Sequence, residues 1–161
     1  MPSRIAIGPI TVSIEAPRYL VFQVLHSLGD ARESDEAARV VHEDESRRVV
    51  EFRRKVNGKT VRLVEEIVYD PPERVTFQHV EGPYPEMHEE MTLEDESGKR
   101  TTLTYQGAFA TDAPFLGRLF NRLFVRPTYT RQVLGNLQRL KEAAERLYAE
   151  QQPGRRTNGT H

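Results

Sequence analysis

Apolar residues near the end of the chain recur every three or four positions, which is typical of one face of an α-helix. The pattern covers residues 114–150, with apolar positions at Leu116, Leu119, Phe120, Leu123, Phe124, Val133, Leu134, Leu137, Leu140, Ala144 and Leu147. At about 1.5 Å per residue this helix would be roughly 50 Å long, so it needs a broad apolar surface to cover. Pro127 removes a backbone donor midway, and we expect the helix to kink or restart there.

The beginning of the chain predicts a strand followed by a shorter helix. Apolar residues alternate over residues 5–15, as in a half-buried strand, with an irregularity expected at Gly8-Pro9. Pro17 is suited to the first turn of a helix over residues 18–28, and Gly29 is suited to its end. The polar stretch 30–37 is either a short surface helix or a loop.

Six further strands are predicted between this helix and the last one. They cover residues 39–42, 47–56, 60–69, 74–80, 86–94 and 100–110. Short turns such as Asn57-Gly58 join them, and successive strands joined by short turns form an antiparallel meander. One face of such a sheet meets water, and the closing helix is the only element able to cover the other.

The order of elements predicts an α+β fold in one domain over residues 1–150. We expect a curved, antiparallel, seven-stranded sheet wrapped around a long kinked C-terminal helix. Residues 151–161 contain no apolar side chain, which predicts a disordered tail.

Composition narrows the class of protein. The 161 residues are 37% hydrophobic and 29% charged, as in a globular domain, and the net charge of −1 argues against nucleic-acid binding. The absence of cysteine excludes disulfides, thiolate nucleophiles and cysteine-ligated metals. The chain contains no run of eighteen apolar residues, so no membrane-spanning helix is predicted. The first residues lack the apolar core of a signal peptide. We therefore expect a cytoplasmic, bacterial protein.

Four short segments, in this order, resemble the START-like (SRPBCC) superfamily with its helix-grip fold, which includes Bet v 1-like proteins and the polyketide cyclase/dehydrase and lipid-transport group. The segments are Ile14-Glu15-Ala16-Pro17 with Val21-Phe22, Asp70-Pro71-Pro72-Glu73-Arg74-Val75, Thr101-Thr102-Leu103-Thr104-Tyr105, and Leu137, Leu140-Lys141 and Glu145. The resemblance covers residues 5–148.

The resemblance implies a cavity between the sheet and the closing helix that binds a lipid, quinone, sterol or polyketide for transport or sensing. It also leaves two alternatives open, because some members of the superfamily catalyse cyclisation or dehydration and some assist chaperones. We favour binding over catalysis, and we expect no cofactor because the chain has no Gly-rich phosphate loop.

Strand registers counted from the turns place Glu65, His79 and Glu89 on one face of three neighbouring strands, with Arg54 close by. A carboxylate beside a histidine on an apolar wall is able to orient a ligand carbonyl or to act as acid and base. A slip of one residue would turn all three side chains into ordinary solvated positions, and the sequence alone favours that simpler interpretation. The histidines show no HxH or HExxH spacing, so we expect no metal.

Aromatic and methionine side chains are the expected ligand contacts. They are Phe77, Tyr84, Met87, Met91, Tyr105, Phe109, Phe120, Phe124 and Tyr129. Plain core packing is the favoured explanation for any one of them, but together they suit the wall of an incompletely filled core.

The front half of the closing helix, residues 115–126, combines an apolar face with a stripe of Arg118, Arg122 and Arg126. This pattern is typical of a helix that contacts a membrane surface transiently. A buried helix with solvated arginines, or a homodimer contact, explains it more simply, and the sequence leaves open whether the protein is a monomer or a homodimer.

Overall fold

The computed structural model describes residues 3–33, 38–56, 58–82, 86–111, 123 and 126–152. In chain order the elements are β1 (Ser3–Ile14), α1 (Arg18–Glu33), β2 (Ala38–Glu43), β3 (Arg47–Val56), β4 (Lys59–Asp70), β5 (Arg74–Glu81), β6 (Glu86–Glu96), β7 (Arg100–Thr111) and α2 (Arg126–Gln151). The predicted α+β class and helix-grip order are confirmed.

All seven strands belong to one antiparallel sheet with the order β1-β7-β6-β5-β4-β3-β2. The meander from β2 to β7 follows the chain, and β1 completes the sheet by pairing with β7. The register of β1 shifts between Ile7 and Ile10, where an irregularity was expected at Gly8-Pro9. Gly8 has φ of 89°, and a Cβ there would lie 2.7 Å from the backbone oxygen of Tyr105, so the shift requires glycine.

Both helices pack on one side of the sheet, which we call the inner face. Helix α2 buries Val133, Leu137, Leu140 and Ala144, the apolar positions that the three-and-four spacing predicts. They join a core with sheet residues such as Ile7, Leu103 and Tyr105, and with Leu20 and Val21 of α1. No helix in the described part of the chain is both long and apolar enough to span a bilayer.

The rear of α2 is tied to the junction between β1 and α1. Lys141 Nζ donates to the backbone oxygen of Ser13 at 2.8 Å and pairs with Glu145. A Glu145 oxygen accepts the backbone N–H of Glu15 at 3.1 Å. These contacts join segments that lie 128 and 130 residues apart in sequence, so they fix where the helix crosses the sheet.

Glycine and proline have different effects at the two helix boundaries. Helix α1 continues through Gly29 to Glu33, so the expected end at Gly29 is wrong: glycine lowers helix stability without preventing another turn. Helix α2 begins at Arg126, which places Pro127 in its first turn, where a missing N–H has no partner to lose. The predicted front half, residues 115–126, lies outside the described residues except for Leu123, which is exposed, and Arg126, which begins α2.

Candidate functional site

Three strands bring the predicted polar residues to one region of the inner face. Glu65 of β4 pairs with His79 of β5, and Glu89 of β6 pairs with Phe77 on one side and Gly107 on the other. The prediction that Glu65, His79 and Glu89 lie on one face of three neighbouring strands is confirmed, and counting residues from the turns also gives the observed pairings of Glu65 with His79 and of Glu89 with Gly107. His79 lies two residues from Phe77, so it approaches Glu89 diagonally rather than directly.

The pair formed by Glu65 and His79 is largely buried. Glu65 Oε2 lies 3.7 Å from His79 Nε2, and the two side chains are 11% and 16% exposed. At this distance the two side chains form an ion pair when His79 is protonated. A carboxylate and an imidazole that exchange a proton are also able to act as general acid and base.

Glu89 is held by two phenols from different elements. Tyr105 of β7 donates its hydroxyl hydrogen to Glu89 Oε1 at 2.7 Å. Tyr129, in the first turn of α2, donates to the same oxygen, and its hydroxyl also lies 3.6 Å from Met87 Sδ. This carboxylate therefore joins the start of the closing helix to the middle of the sheet.

Gly107 makes the contact between Tyr105 and Glu89 possible. Tyr105 pairs with Met91, two residues from Glu89, so its ring must lean along the strand to reach the carboxylate. It leans over Gly107, where a Cβ would lie 2.5 Å from the Tyr105 hydroxyl oxygen. The Tyr105 ring occupies the space that a side chain at position 107 would fill.

Both phenols are held in their neutral form. Burial raises the pKa of Tyr105, and the negative charge of Glu89 and the hydrogen bond to it raise that pKa further. Burial and Glu89 likewise raise the pKa of Tyr129, and the charge of Glu65 adds to the effect. The phenols are therefore hydrogen-bond donors at neutral pH, in surroundings that disfavour any second anion.

Apolar side chains surround these polar groups. Phe77, Met87, Met91 and Phe109 lie at positions on the same face and are half-buried, and the Phe109 and Tyr129 ring centroids are 5.8 Å apart. Tyr84, Phe120 and Phe124 are outside the described residues. The described ligand-contact candidates thus form a contiguous wall next to Glu89.

Arg54 lies farther from the polar residues than expected. The tight hairpin pairs Val56 with Lys59, which sets Arg54 opposite Val61 and Val50 opposite Glu65. Four residues of strand, roughly 13 Å, separate positions 54 and 50. The side chain of Arg54 is outside the described part of the structure.

A second cluster on the inner face, around Tyr69, was not anticipated from the sequence. The Tyr69 ring contacts His26 of α1 with centroids 4.7 Å apart, and the guanidinium carbon of Arg48 lies 6.0 Å from the ring centroid. Arg48 is 3% exposed and pairs with Glu43. Beside this cluster, an open groove of about 760 Å³ runs between α1 and the rear of α2, lined by Phe22, Gln23, Val24, His26, Ser27, Ala143, Arg146, Leu147 and Glu150.

Strand alternation places Arg48, Val50 and Tyr69 on the inner face, so the sequence did contain a signal for part of the second cluster. The contact of Tyr129 with Glu89 had no such signal, because it joins residues 40 positions apart. Among the described residues, no three histidine, aspartate or glutamate side chains are grouped to hold a metal ion.

The chain matches one family of known sequences, and its structure is similar to several solved structures. The sequence model of the family described as "Polyketide cyclase / dehydrase and lipid transport" matches residues 10–145. The structure is similar to the Zhui aromatase/cyclase from Streptomyces sp. R1128, with a TM-score of 0.68 and 22% identity over 91% of this chain and 95% of that one. It is also similar to the protein TTHA0849 from Thermus thermophilus, with a TM-score of 0.66 and 21% identity over 88% and 97% of the two chains.

A START superfamily protein from Mycobacterium smegmatis has the same fold, with a TM-score of 0.54 and 11% identity over 92% of this chain and 99% of that one. No curated protein matches the sequence significantly. The structural likenesses establish the fold, and the family match extends over most of the chain.

Proposed function

We propose that this chain, which belongs to the polyketide cyclase/dehydrase and lipid transport family, binds a hydrophobic small molecule between the inner face of the sheet and the start of helix α2. The observation that carries the proposal is the half-buried apolar wall around the hydrogen-bonded carboxylate of Glu89. Ligand sites are mostly apolar and contain a few fixed polar groups, which is the composition found here.

The contrast with the neighbouring core supports a cavity at this position. Leu103 and Tyr105 are at most 1% exposed, whereas Phe77, Met91 and Phe109 on the same face are only partly buried. An evenly filled core would bury all of these side chains, since protein interiors are close-packed. A bound ligand would complete the packing that the sheet and helix leave unfinished.

Native mass spectrometry of the purified protein tests this proposal. We expect a co-purified apolar compound, or uptake of an added one, and a weaker complex when Phe109 or Met91 is replaced by alanine. Val68→Ala is the matched control, because Val68 lies on the outer face and is 38% exposed. A protein that binds no apolar compound, or equal binding by the Phe109, Met91 and Val68 variants, would contradict a cavity at this site.

A second candidate function, cyclisation or dehydration of a polyketide-like substrate, is favoured by the pair of Glu65 and His79 next to Glu89. In this hypothesis the three side chains exchange protons with substrate carbonyl and hydroxyl groups. We expect His79→Ala to abolish a pH-dependent turnover, while Gln78→Ala, exposed on the outer face, retains it. Unchanged turnover in His79→Ala would exclude this histidine from the chemistry.

Finer expectations remain predictions of the sequence. They are a cytoplasmic location in a bacterium, the choice between monomer and homodimer, and a transient membrane contact through Arg118, Arg122 and Arg126. Arg126 is exposed, and the other two arginines are outside the described residues. Co-sedimentation with anionic vesicles tests the membrane contact: the Arg118/Arg122/Arg126→Glu triple variant should sediment less than wild type, and equal sedimentation would exclude it.

A further inference from the structure

The two phenols that bind Glu89 both reach the same oxygen. Tyr105 and Tyr129 donate to Oε1, and no hydrogen bond to Oε2 is found within the described part of the chain. A carboxylate has about four acceptor positions on its two oxygens. Glu89 is half-buried rather than enclosed, and the described residues leave Oε2 able to accept a hydrogen bond from a donor that enters the cavity.

The charges around Glu89 are unfavourable for an anion. Glu65 contributes a second carboxylate from β4, and His79, the basic side chain on the intervening strand β5, is paired with Glu65. Arg48 lies on β3, the next strand beyond that of Glu65, with its guanidinium carbon 6.0 Å from the Tyr69 ring centroid, and it is neutralised by Glu43. Burial and the charges of Glu89 and Glu65 raise the pKa of Tyr129. The same surroundings that disfavour a phenolate at Tyr129 would disfavour a ligand anion.

We propose that the cavity selects uncharged, hydroxyl-bearing hydrophobic ligands over carboxylates, with Glu89 Oε2 accepting the ligand's hydroxyl hydrogen. This inference rests on the proposed function and specifies its ligand class. A phenol, enol or alcohol replaces the water that the carboxylate loses when the cavity fills, and a charge-assisted hydrogen bond is stronger than a neutral one. A purely apolar ligand leaves Glu89 buried without that bond, and a ligand carboxylate adds repulsion without a donor.

Three probes with the same ring system separate these cases: 2-naphthol, naphthalene and 2-naphthoate. Calorimetric titration of the full chain at pH 7 should show 2-naphthol binding most tightly, at least about tenfold more tightly than 2-naphthoate. Phe109→Ala should weaken the binding of all three probes, which locates them next to Glu89 rather than in the groove between the helices.

Glu89→Gln should reduce the preference for 2-naphthol over 2-naphthoate by about tenfold, because the carboxamide is neutral. Glu90→Gln is the matched control: it makes the same change on the same strand but on the outer face, opposite Gln106, and should leave the preference unchanged. Glu65→Gln tests the inference without touching the phenol contacts, and it should strengthen 2-naphthoate binding relative to 2-naphthol.

The outcomes of these titrations distinguish a failure of this inference from a failure of the proposed function. If none of the three probes binds, the proposed cavity and this inference both fail. If the probes bind but 2-naphthol and 2-naphthoate bind equally well, only the ligand class is wrong. If the preference survives unchanged in both Glu89→Gln and Glu65→Gln, the selectivity comes from other groups and the role assigned to Glu89 is overturned.

Discussion

Gly107 of β7 leaves the room that the Tyr105 ring needs to reach Glu89. An added Cβ would lie 2.5 Å from the hydroxyl oxygen and 3.1 Å from Cζ of Tyr105, whose ring is 1% exposed and has no room to retreat. We therefore expect Gly107→Ala to displace the ring from Glu89 and to lower the free energy of unfolding by about 1–3 kcal/mol. Urea denaturation followed by circular dichroism measures this change.

Gly135→Ala is the matched control for that substitution. Gly135 lies within helix α2, and nothing outside the helix lies within 4 Å of the Cβ it would gain. Alanine there should raise the free energy of unfolding by roughly 0.5–1 kcal/mol, because glycine is the poorer helix former. If both variants shift stability in the same direction, the close approach at Gly107 is not what limits Tyr105.

Tyr105 and Tyr129 should make the protein sensitive to alkali. Their pKa values in the folded protein lie above the ordinary value of 10.0, so above pH 10 the unfolded chain releases protons that the folded chain retains. Stability from these groups is complete below pH 10 and declines as the pH rises above it. Denaturation midpoints measured from pH 9 to 12 should fall, and tyrosinate absorbance should show at least two of the six phenols ionising only on unfolding.

Tyr105→Phe should flatten that decline by about 1.4 kcal/mol per pH unit, the slope that one retained proton contributes. Tyr19→Phe, which alters a side chain that is 55% exposed, serves as the control and should leave the slope unchanged. Smooth ionisation of all six tyrosines in the folded protein would show that the pair is not buried against Glu89.

Turn geometry made part of the site predictable at the residue scale. The short turns define register, so Glu65 opposite His79 and Glu89 opposite Gly107 follow from counting residues. Tyr129 did appear among the aromatic candidates, but nothing local connects it to Glu89. That contact depends on the angle at which α2 crosses the sheet, which is a property of tertiary packing.

At the scale of the elements, helix α2 is held at its two ends by different chemistry. Its start contacts the sheet through Tyr129, and its rear is fixed by Lys141 and Glu145. Burial alone would raise the pKa of Glu145, but the hydrogen bonds from Lys141 and from the backbone N–H of Glu15 outweigh burial and lower it. The rear contacts should therefore weaken in acid.

The lowered pKa of Glu145 gives the direction of this pH dependence. Its contribution is fully present above the ordinary value of 4.5 and is lost as the pH falls from there through the lower folded-state value. We expect Glu145→Gln to lower stability at pH 7 by about 1 kcal/mol and to reduce the acid dependence below pH 4.5. Denaturation midpoints from pH 7 to 3 measure both effects.

Glu142→Gln is the control for the same helix, because Glu142 bonds only to the exposed Gln138 among the described contacts. It should change stability by less than about 0.5 kcal/mol. An acid dependence that is identical in Glu145→Gln and wild type would show that the hydrogen bonds to Glu145 do not stabilise the rear of α2.

Local signals also set the limits of prediction for the elements. The restrictions on proline act within one helical turn, and Pro127 lies in the first turn of α2, which begins at Arg126. Residues 124 and 125 are outside the described part of the chain, so the expected kink or restart stays a prediction. The expectation of an end at Gly29 was wrong because glycine lowers helix stability without preventing the helix from continuing, here to Glu33. The order of strands β2 to β7 followed from the short turns alone, whereas the pairing of β1 with β7 was not predicted, because no short turn joins these two strands.

At the scale of the whole molecule, two places in the described structure are candidates for binding a small molecule. One is the apolar wall around Glu89, and the other is the open groove of about 760 Å³ between α1 and the rear of α2. The sequence predicted the first from the family resemblance, because a cavity under the closing helix is a feature of the fold. The groove had no signal in the sequence, since its volume depends on the spacing of two helices distant in the chain.

Hydrogen exchange in the presence of 2-naphthol distinguishes these two sites. A ligand stabilises the part of the structure that it contacts, so exchange slows where local opening becomes less frequent. Binding beside Glu89 should slow exchange in 126–131, 87–91 and 105–109, because Tyr129, Glu89 and Tyr105 are bonded together. Exchange in 137–145 should change little, because buried Leu137, Leu140 and Ala144 already hold that part of α2 on the core.

Binding in the groove would give the opposite pattern, with slower exchange in 22–27 and 143–150, which line it. Phe109→Ala is the control for the proposed site: it should remove the protection of 87–91 and 105–109 and leave exchange in the groove segments as it was. Protection confined to the groove segments in the wild-type protein would move ligand binding away from Glu89. The start of α2 would then be a structural contact, and the carboxylate that joins it to the sheet would have no part in recognition.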